Sequence, residues 1–557
     1  MRHKNDFNVK IVPQKARITQ ALDHYGIVAG FCDKLQIAAR INKRIGSKDP
    51  RRVIQPGVAV KAMILNALGF TNNRLYMAPK FFTKKALDVL FDEPITAEQL
   101  DDHTLGKALD EIHAYGVNAM FAEIALEIAM ENNLFGATAH LDSTSFSLSG
   151  AYDTDEVATI EVKRGFSKDH RPDLKQVMLS MVSTGPANIP IWLEPQNGNS
   201  SDKKSFHETL KTFHAFHKQM QQGQKDFFWV ADSAFYTTEK IRSYDTIKWI
   251  SRVPETLSCA RKLLEAADDT FIWQQMEGGY KYTEIESDNG GVRQRWLLVS
   301  SAQAFARESA TFERKLIALE QELKKTCDHQ SNPLFNCQED AEKVVKELRK
   351  KAKYFTLMAD IQSVCKHAGR GRPSKNAEKQ HVGYQLHIQI SRNMEVIERH
   401  LRKKGRFILA TNELNREKLS SVKILTNYKN QQSVEGGFRF LKDPWFMVDS
   451  FFVKKRSRIA ALMFIMALSL LVYNFAQYAL RKALLASDQT IPNQKGKPGK
   501  RPTMRWIFQI MEGIQMETIF HKKGHCSHSI LNIDDVMKTI IRLLGPEVCR
   551  IYHLNTA

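Results

Sequence analysis

The sequence has no C-x-x-C pair and no evenly spaced cysteine framework: its seven cysteines (Cys32, Cys259, Cys327, Cys337, Cys365, Cys526, Cys549) lie scattered over 557 residues. A disulfide-stapled scaffold is excluded, and a reducing compartment is expected. No apolar run reaches the ~20 residues of a membrane span. The most apolar stretch, Ile459–Val472, is too short and is broken by Ser469, so a buried helix is expected there. Met1–Lys15 alternates charged and apolar residues without the apolar block of a secretory signal, which predicts no export. Internal repeats are missing as well. Acidic residues are in deficit: 61 Asp and Glu against 81 Lys and Arg give a net charge of +20. Such an excess concentrates polyanions, which makes nucleic acid the leading partner.

What is present is an ordinary folded composition, 43% hydrophobic and 25% charged, at a length that predicts three or four domains. Residues 1–135 are expected to form a helical N-terminal DNA-binding domain, with helical periodicity over Val58–Leu68, Leu105–Tyr115 and Ala119–Met130. Lys43, Arg44, Lys48, Arg51 and Arg52 either line a phosphate backbone or decorate a solvated loop. Residues 136–253 change texture, with strand-like runs at Ala137–Phe146, Gln176–Ser183, Ile189–Leu193, Phe227–Ala231 and Trp249–Val253. A helical stretch, Ser205–Met220, separates the third run from the fourth. This order predicts an α/β fold whose mixed sheet contains a crossover, as in a ribonuclease-H-like core.

Residues 254–405 read as an insertion domain. It has short strands near Phe271–Trp273, Tyr280–Tyr282 and Trp296–Val299. A helical hairpin follows, with Phe305, Phe312, Leu316, Leu319 and Leu323 on one arm and Val344, Leu348 and Phe355 on the other. The basic tract Gly369–Pro373 follows. The core resumes over residues 406–484, and residues 485–557 form a C-terminal helical region with patterns at Trp506–Phe520 and Ile533–Leu544.

Three carboxylates stand out. Asp142 lies in a run of small residues that, as a strand, places it on one face beside His140 and Thr144. Asp232 ends the apolar run Phe227–Ala231, where a carboxylate is costly to bury unless paired or metal-bound. Either Asp alone could equally cap a turn. Glu435 shares a helical line with Tyr428, Gln431 and Lys442, and Arg439 falls close to it. Gly436 and Gly437, costing about 1 kcal/mol each in a helix, suggest close approach of something large, such as a DNA backbone.

These residues resemble the signature of bacterial insertion-sequence transposases of the DDE type, in the group with a Tyr-x2-Arg-x3-Glu-x6-Lys motif. Tyr428, Glu435 and Lys442 match it, preceded by Asp142 in His-Leu-Asp-Ser-Thr-Ser and Asp232 in Val-Ala-Asp-Ser-Ala-Phe-Tyr. The segment Gly165–Gln176 is also similar. Gln431 stands where the signature has Arg, so Arg439 or Lys429 is the alternative source of that charge. The resemblance implies that Asp142, Asp232 and Glu435 are catalytic and hold two Mg²⁺ ions, with Mn²⁺ able to substitute. It also implies that Tyr428, Gln431, Arg439 and Lys442 contact DNA. The implied activity is metal-dependent cleavage at terminal inverted repeats and strand transfer into target DNA, by a homodimer or higher oligomer, in the bacterial cytoplasm at the nucleoid, with no membrane partner. A ribonuclease-H-like nuclease and a domesticated DNA-binding protein are the alternatives.

Weaker signals remain. Trp273 and Trp296 either stack on a flipped base or pack between strands. Gly371-Arg372-Pro373 is either a minor-groove arm or a hinge. His521, His525, Cys526 and His528 contain metal-ligand types at a spacing that matches no strong zinc pattern.

Overall fold

The computed structural model describes residues 17–71, 74–150, 152, 160–167, 171–201, 206, 208–213, 215–216, 227–244, 247–367, 378–443, 455–520 and 526–555. Two compact units emerge: Met1–Lys240, Thr246–Trp249 and Thr426–Ala557 form the first, and Ile241–Asp245 and Ile250–Leu425 the second. In chain order come β1 (Arg17–Ala21), α1 (Tyr25–Lys34), α2 (Ile37–Ile45), α3 (Pro56–Ala67), α4 (Asp102–Tyr115) and α5 (Val117–Glu131). Strands β2 (Thr138–Leu148), β3 (Lys175–Thr184), β4 (Ile189–Gln196) and β5 (Phe228–Ala231) follow. Next are β6 (Trp249–Arg252), β7 (Gln274–Met276), β8 (Tyr280–Asn289), β9 (Val292–Ser301), α6 (Ala302–Ser331) and α7 (Gln338–Lys351). The long strands β10 (Phe355–His367) and β11 (Lys379–Arg392) precede α8 (Met394–Arg402), β12 (Arg406–Thr411) and α9 (Ser421–Leu441). The chain ends with α10 (Arg456–Ala486), α11 (Met504–Ile510), β13 (Gln515–Phe520), β14 (Cys526–Leu531), α12 (Asp535–Leu544) and α13 (Pro546–Ile551).

In the first unit the strand order is β4-β3-β2-β5. The first three strands are antiparallel and β5 runs parallel to β2. That is the mixed-sheet order expected of a ribonuclease-H-like core: three strands, a crossover, and a return beside the first. The described residues of the crossover, 206, 208–213 and 215–216, are helical. Strand β2 shows no in–out alternation, because all its residues except Asp142 and Ser147 are buried; a strand covered on both faces has no solvent side to mark. The apolar run Ile459–Val472 lies in α10, where 94% of the most apolar 18-residue window is buried.

The N- and C-terminal segments interlock. Strand β1 pairs with β13, and β13 with β14. The Tyr552 hydroxyl donates to the Asp23 carbonyl. Gly30 permits the crossing of α1 and α13, since a Cβ there would sit 2.8 Å from Val548 Cγ2. The pattern expected to be helical over Trp506–Phe520 is split: α11 ends at Ile510, and Gly513, at φ +93°, turns the chain into strand β13.

The basic N-terminal cluster is corrected in part. Arg44, with a side chain only 8% exposed, donates to Glu123 at 2.7 Å and Glu127 at 2.8 Å. Arg40 bonds Glu127 and Glu131, and Arg52 bonds Glu111 at 2.5 and 2.9 Å. These guanidiniums tie α2 and the α2–α3 loop to α4 and α5, and cannot face a phosphate while so engaged. Lys43 and Lys48 remain exposed, and the exposed Arg51 pairs with Asp49.

The second unit holds strands in the order β6-β12-β9-β8-β7. The β8–β9 hairpin turns on Gly290 and Gly291, both at φ +74°, the two-residue turn that matches strand twist. Helices α6, α7 and α8 pack on the β10–β11 ribbon around Phe312, Leu316, Leu348, Phe355, Leu357 and Ile397. Phe355, expected on the returning helical arm, instead begins β10. Trp296 is 1% exposed within β9, which assigns it to strand packing, whereas Trp273 is half-buried with the Lys281 ammonium 4.5 Å from its ring.

Two predictions follow from the first unit. Glu127→Gln strips a partner from both Arg40 and Arg44, which keep Glu131 and Glu123, and is expected to destabilise by about 1–2 kcal/mol in chemical denaturation, whereas Lys43→Gln changes little. His24 stacks between Tyr25 and Phe508 at 4.5 and 4.3 Å and contacts the Leu68 carbonyl through Nε2. Burial lowers its pKa from 6.5 to about 4. Between those values the unfolded chain takes a proton that the folded chain refuses, so this contribution is complete above pH 6.5 and is lost as pH falls toward 4. The melting temperature is expected to drop across that window, and to drop less in His24→Phe; equal slopes for the two proteins would refute the assignment.

Candidate active site

The parallel register of β2 and β5 places the first two acids. Leu141 is opposite Ala231, and Asp142 and Asp232 are the next residue on each chain. Adjacent strands lie about 4.8 Å apart, so two acids distant in sequence become side-by-side neighbours. Each is half-buried and held by the backbone: Asp142 Oδ1 accepts from the Ser143 N–H at 2.7 Å, and Asp232 Oδ1 from the Ala234 N–H at 2.8 Å. The second bond is a turn-type contact, the role each Asp could have had alone; the pairing adds a second role.

The third acid comes from α9. On α9, position 435 is four residues after Gln431 and three before Phe438, both 5% exposed, and four before the exposed Arg439. The backbone at Gly437 lies against the sheet: a Cβ there would be 3.2 Å from Leu470 Cδ2 and 4.0 Å from Met181 Cε. Met181 is the cross-strand partner of Asp142. Helix α9 therefore passes over the sheet face that carries Asp142, two residues from Glu435. The Glu435 side chain itself lies outside the described residues. Among the described residues, no three Asp, Glu, His or Cys side chains group closely enough to hold a metal ion.

Packing fixes the helix. Phe438 and Leu441 are buried, and Phe440 stands 4.4 Å from the Tyr473 ring and 5.7 Å from that of Phe70. Asp443, just beyond α9, pairs with Arg505. The close approach suggested by the two glycines is thus half internal. Gly437 meets α10, whereas a Cβ on Gly436 would meet no described atom within 4 Å.

The remaining positions divide. Tyr428 and Lys442 are half-buried, Arg439 is exposed, and Lys429 is exposed. Gln431 is buried, and its Oε1 has no hydrogen-bond partner among the described residues. A phosphate contact from Gln431 would require that burial to be relieved.

His140 is a site neighbour whose state the sequence did not show. It lies on the Asp142 face, 4% exposed, with Nε2 3.1 Å from Thr138 Oγ1 and Nδ1 unpaired among the described residues. Burial lowers its pKa to about 4, so it is neutral at pH 7. In the C-terminal histidine cluster, His521 and His525 lie outside the described residues. His528 Nδ1 is 3.0 Å from Thr518 Oγ1.

Comparison with known proteins now gives this arrangement its family. Residues 139–474 match the transposase DDE domain, and residues 17–126 match a domain of unknown function, DUF4277. The first match spans more than half of the chain, which therefore belongs to the transposase DDE domain family; its function is that of a DNA transposase. No curated protein matches the chain. A cryo-EM structure of the piggyBac transposase synaptic complex with hairpin DNA is similar at 9% identity and a TM-score of 0.35, over 89% of this chain and 82% of that one. That similarity is remote, and the family membership rests on the match over residues 139–474.

The two glycines can be separated by stability. Gly436→Ala is expected to raise unfolding stability by up to about 1 kcal/mol through helix propensity. Gly437→Leu is expected to lower it by about 1–3 kcal/mol by overpacking against Leu470. Urea denaturation of both variants measures the difference, and a tolerated Gly437→Leu would detach α9 from the sheet face.

Proposed function

We propose that Asp142, Asp232 and Glu435 are the catalytic acids of this transposase, and that they cut DNA at the terminal inverted repeats of its element and join the freed ends to target DNA. The observation that supports this most is the register Leu141–Ala231, which sets the first two acids side by side. Two adjacent carboxylates repel unless a cation lies between them or one takes a proton. Their all-oxygen donors are the hard ligands that Mg²⁺ and Mn²⁺ prefer, and the family is generally divalent-metal dependent. The fit is therefore good, and these three acids would hold two Mg²⁺ ions. Bound there, the metal supplies charge neutralisation at the phosphate and activation of the attacking oxygen.

The chain's own residues do the positioning. The backbone N–H groups of Ser143 and Ala234 fix one oxygen of each Asp, which sets the direction in which the other faces. The buried neutral His140 adds no charge to the acid pair. Tyr428, Arg439 and Lys442, on or beside the Glu435 line, are proposed to hold the DNA backbone, with Gln431 contributing only if exposed. Lys43 and Lys48 are the N-terminal residues left to add phosphate contacts. Joining two ends requires two sites, so a homodimer or larger assembly on DNA is proposed, at the nucleoid of the bacterial cytoplasm.

Asp142→Asn, Asp232→Asn and Glu435→Gln are each expected to lower Mg²⁺-dependent nicking and joining of duplexes bordering the coding region by more than about 100-fold, beyond the usual outer-shell effect. DNA affinity should stay within a few-fold. A variant that still cuts does not carry a metal ligand at that position. Lys442→Ala should weaken binding and reduce the salt slope by about one.

A further inference from the structure

We propose that the open face of the β10–β11 ribbon is a docking surface for duplex DNA that reads base edges in the element ends. This rests on the transposase reading and adds a recognition element outside the acid site. The ribbon pairs along all 13 residues of β10, from Phe355–Arg392 to His367–Lys379. Its two faces differ. Phe355, Leu357, Ile388 and Ile390 turn toward the helices α6, α7 and α8, where they join one apolar cluster, and Leu386 on the same face is buried. On the other face the cross-strand pairs are Thr356–Ser391, Met358–Gln389, Asp360–His387 and Gln362–Gln385. All of these are exposed except the half-buried Gln385.

The chemistry of that face selects its occupant. Over these four pairs Met358 is the single large apolar side chain, and Val364 at the next pair is half-buried, so hydrophobic burial against a protein has little to grip. A merely solvated strand face in a basic chain would carry Lys and Glu, whereas this one carries amides, hydroxyls and an imidazole, with Asp360 its single charge. Gln362 Nε2 donates to Asp360 Oδ2 at 2.7 Å. Amides bind adenine edges in a bidentate manner, and the B-DNA major groove accepts a two-stranded ribbon. At the far end the charge turns positive: Lys366 and Lys379 are exposed. Electrostatic complementarity therefore favours a polyanion at the end of a polar reading face.

The inner face supplies the rigidity that readout needs. A two-stranded ribbon alone is marginally stable. Here Arg392 donates to Glu320 at 3.0 Å and to Glu313 at 2.8 Å, clamping the base of β11 onto α6.

The test uses the full chain and fluorescence anisotropy over a salt series. The probes are duplexes taken from the sequence bordering the coding region and a shuffled duplex of equal composition. Gln362→Ala with Gln389→Ala is expected to reduce the preference for bordering over shuffled duplex about tenfold or more, with shuffled binding unchanged. Lys366→Ala with Lys379→Ala should weaken both and flatten the salt slope by about two. Unchanged melting temperatures exclude misfolding as the cause of either effect. Wild-type preference and slope retained in both double variants would overturn the ribbon's role alone. A wild-type chain with no preference for bordering duplexes would overturn the end-recognition reading and the ribbon with it.

Discussion

The constraint on which the active site depends is the parallel pairing of β2 with β5. Antiparallel neighbours can be joined by a short turn, but a parallel neighbour requires a crossover, and this one delivers Asp232 beside Asp142 from 90 positions further along the chain. Two carboxylates about 5 Å apart disfavour each other's ionisation. The surrounding strands are buried on both faces, so the sheet cannot relax by splaying, and the backbone N–H bonds at Ser143 and Ala234 hold each carboxylate in place. In the proposed mechanism a divalent cation bound between the two carboxylates would relieve that repulsion.

The third acid is supplied in a different way. A helix can rotate and slide where a strand cannot, so the position of Glu435 is only as precise as the packing of α9. Phe438 and Leu441 bury one stripe, Phe440 is locked between the rings of Tyr473 and Phe70, and Gly437 lets the helix settle onto Leu470. The apolar run Ile459–Val472, too short in sequence for a membrane span, is the floor of this arrangement. Its length serves a core shared with the N- and C-terminal segments, which explains why so apolar a helix belongs to so basic a chain.

Core strands were legible because short apolar runs between turn residues have few alternatives. Ala137–Phe146 and Phe227–Ala231 each fall within two residues of a real strand. The pairing of Asp142 with Asp232 was not legible from spacing, since no local pattern encodes which strands become neighbours; it entered through the resemblance. The β10–β11 ribbon was missed for another reason. Phe355 lies seven residues after Leu348, a helical interval, and that coincidence hid the strict alternation Phe355-Thr-Leu357-Met-Ala359-Asp-Ile361. In the N-terminal segment the basic residues were visible, but their partners were not: Glu123, Glu127 and Glu131, at four-residue spacing, form an acidic stripe on α5 that takes up Arg40 and Arg44.

That stripe also bears on the net charge. Each internal ion pair removes one charge of either sign, so pairing Arg40, Arg44, Arg52 and Arg458 with acids leaves the excess of +20 untouched. It moves the excess onto other groups, largely exposed lysines such as Lys43, Lys48, Lys366 and Lys379. A lysine on a flexible stem attracts phosphate without fixing its geometry. The resulting field draws in any DNA and identifies none. Discrimination between element ends and bulk DNA comes from groups that reach base edges, and these have to be geometrically fixed and open to solvent. The proposed reading face of the β10–β11 ribbon meets both conditions in part: its amides and imidazole are open to solvent, and the ribbon beneath them is held to α6 by Arg392.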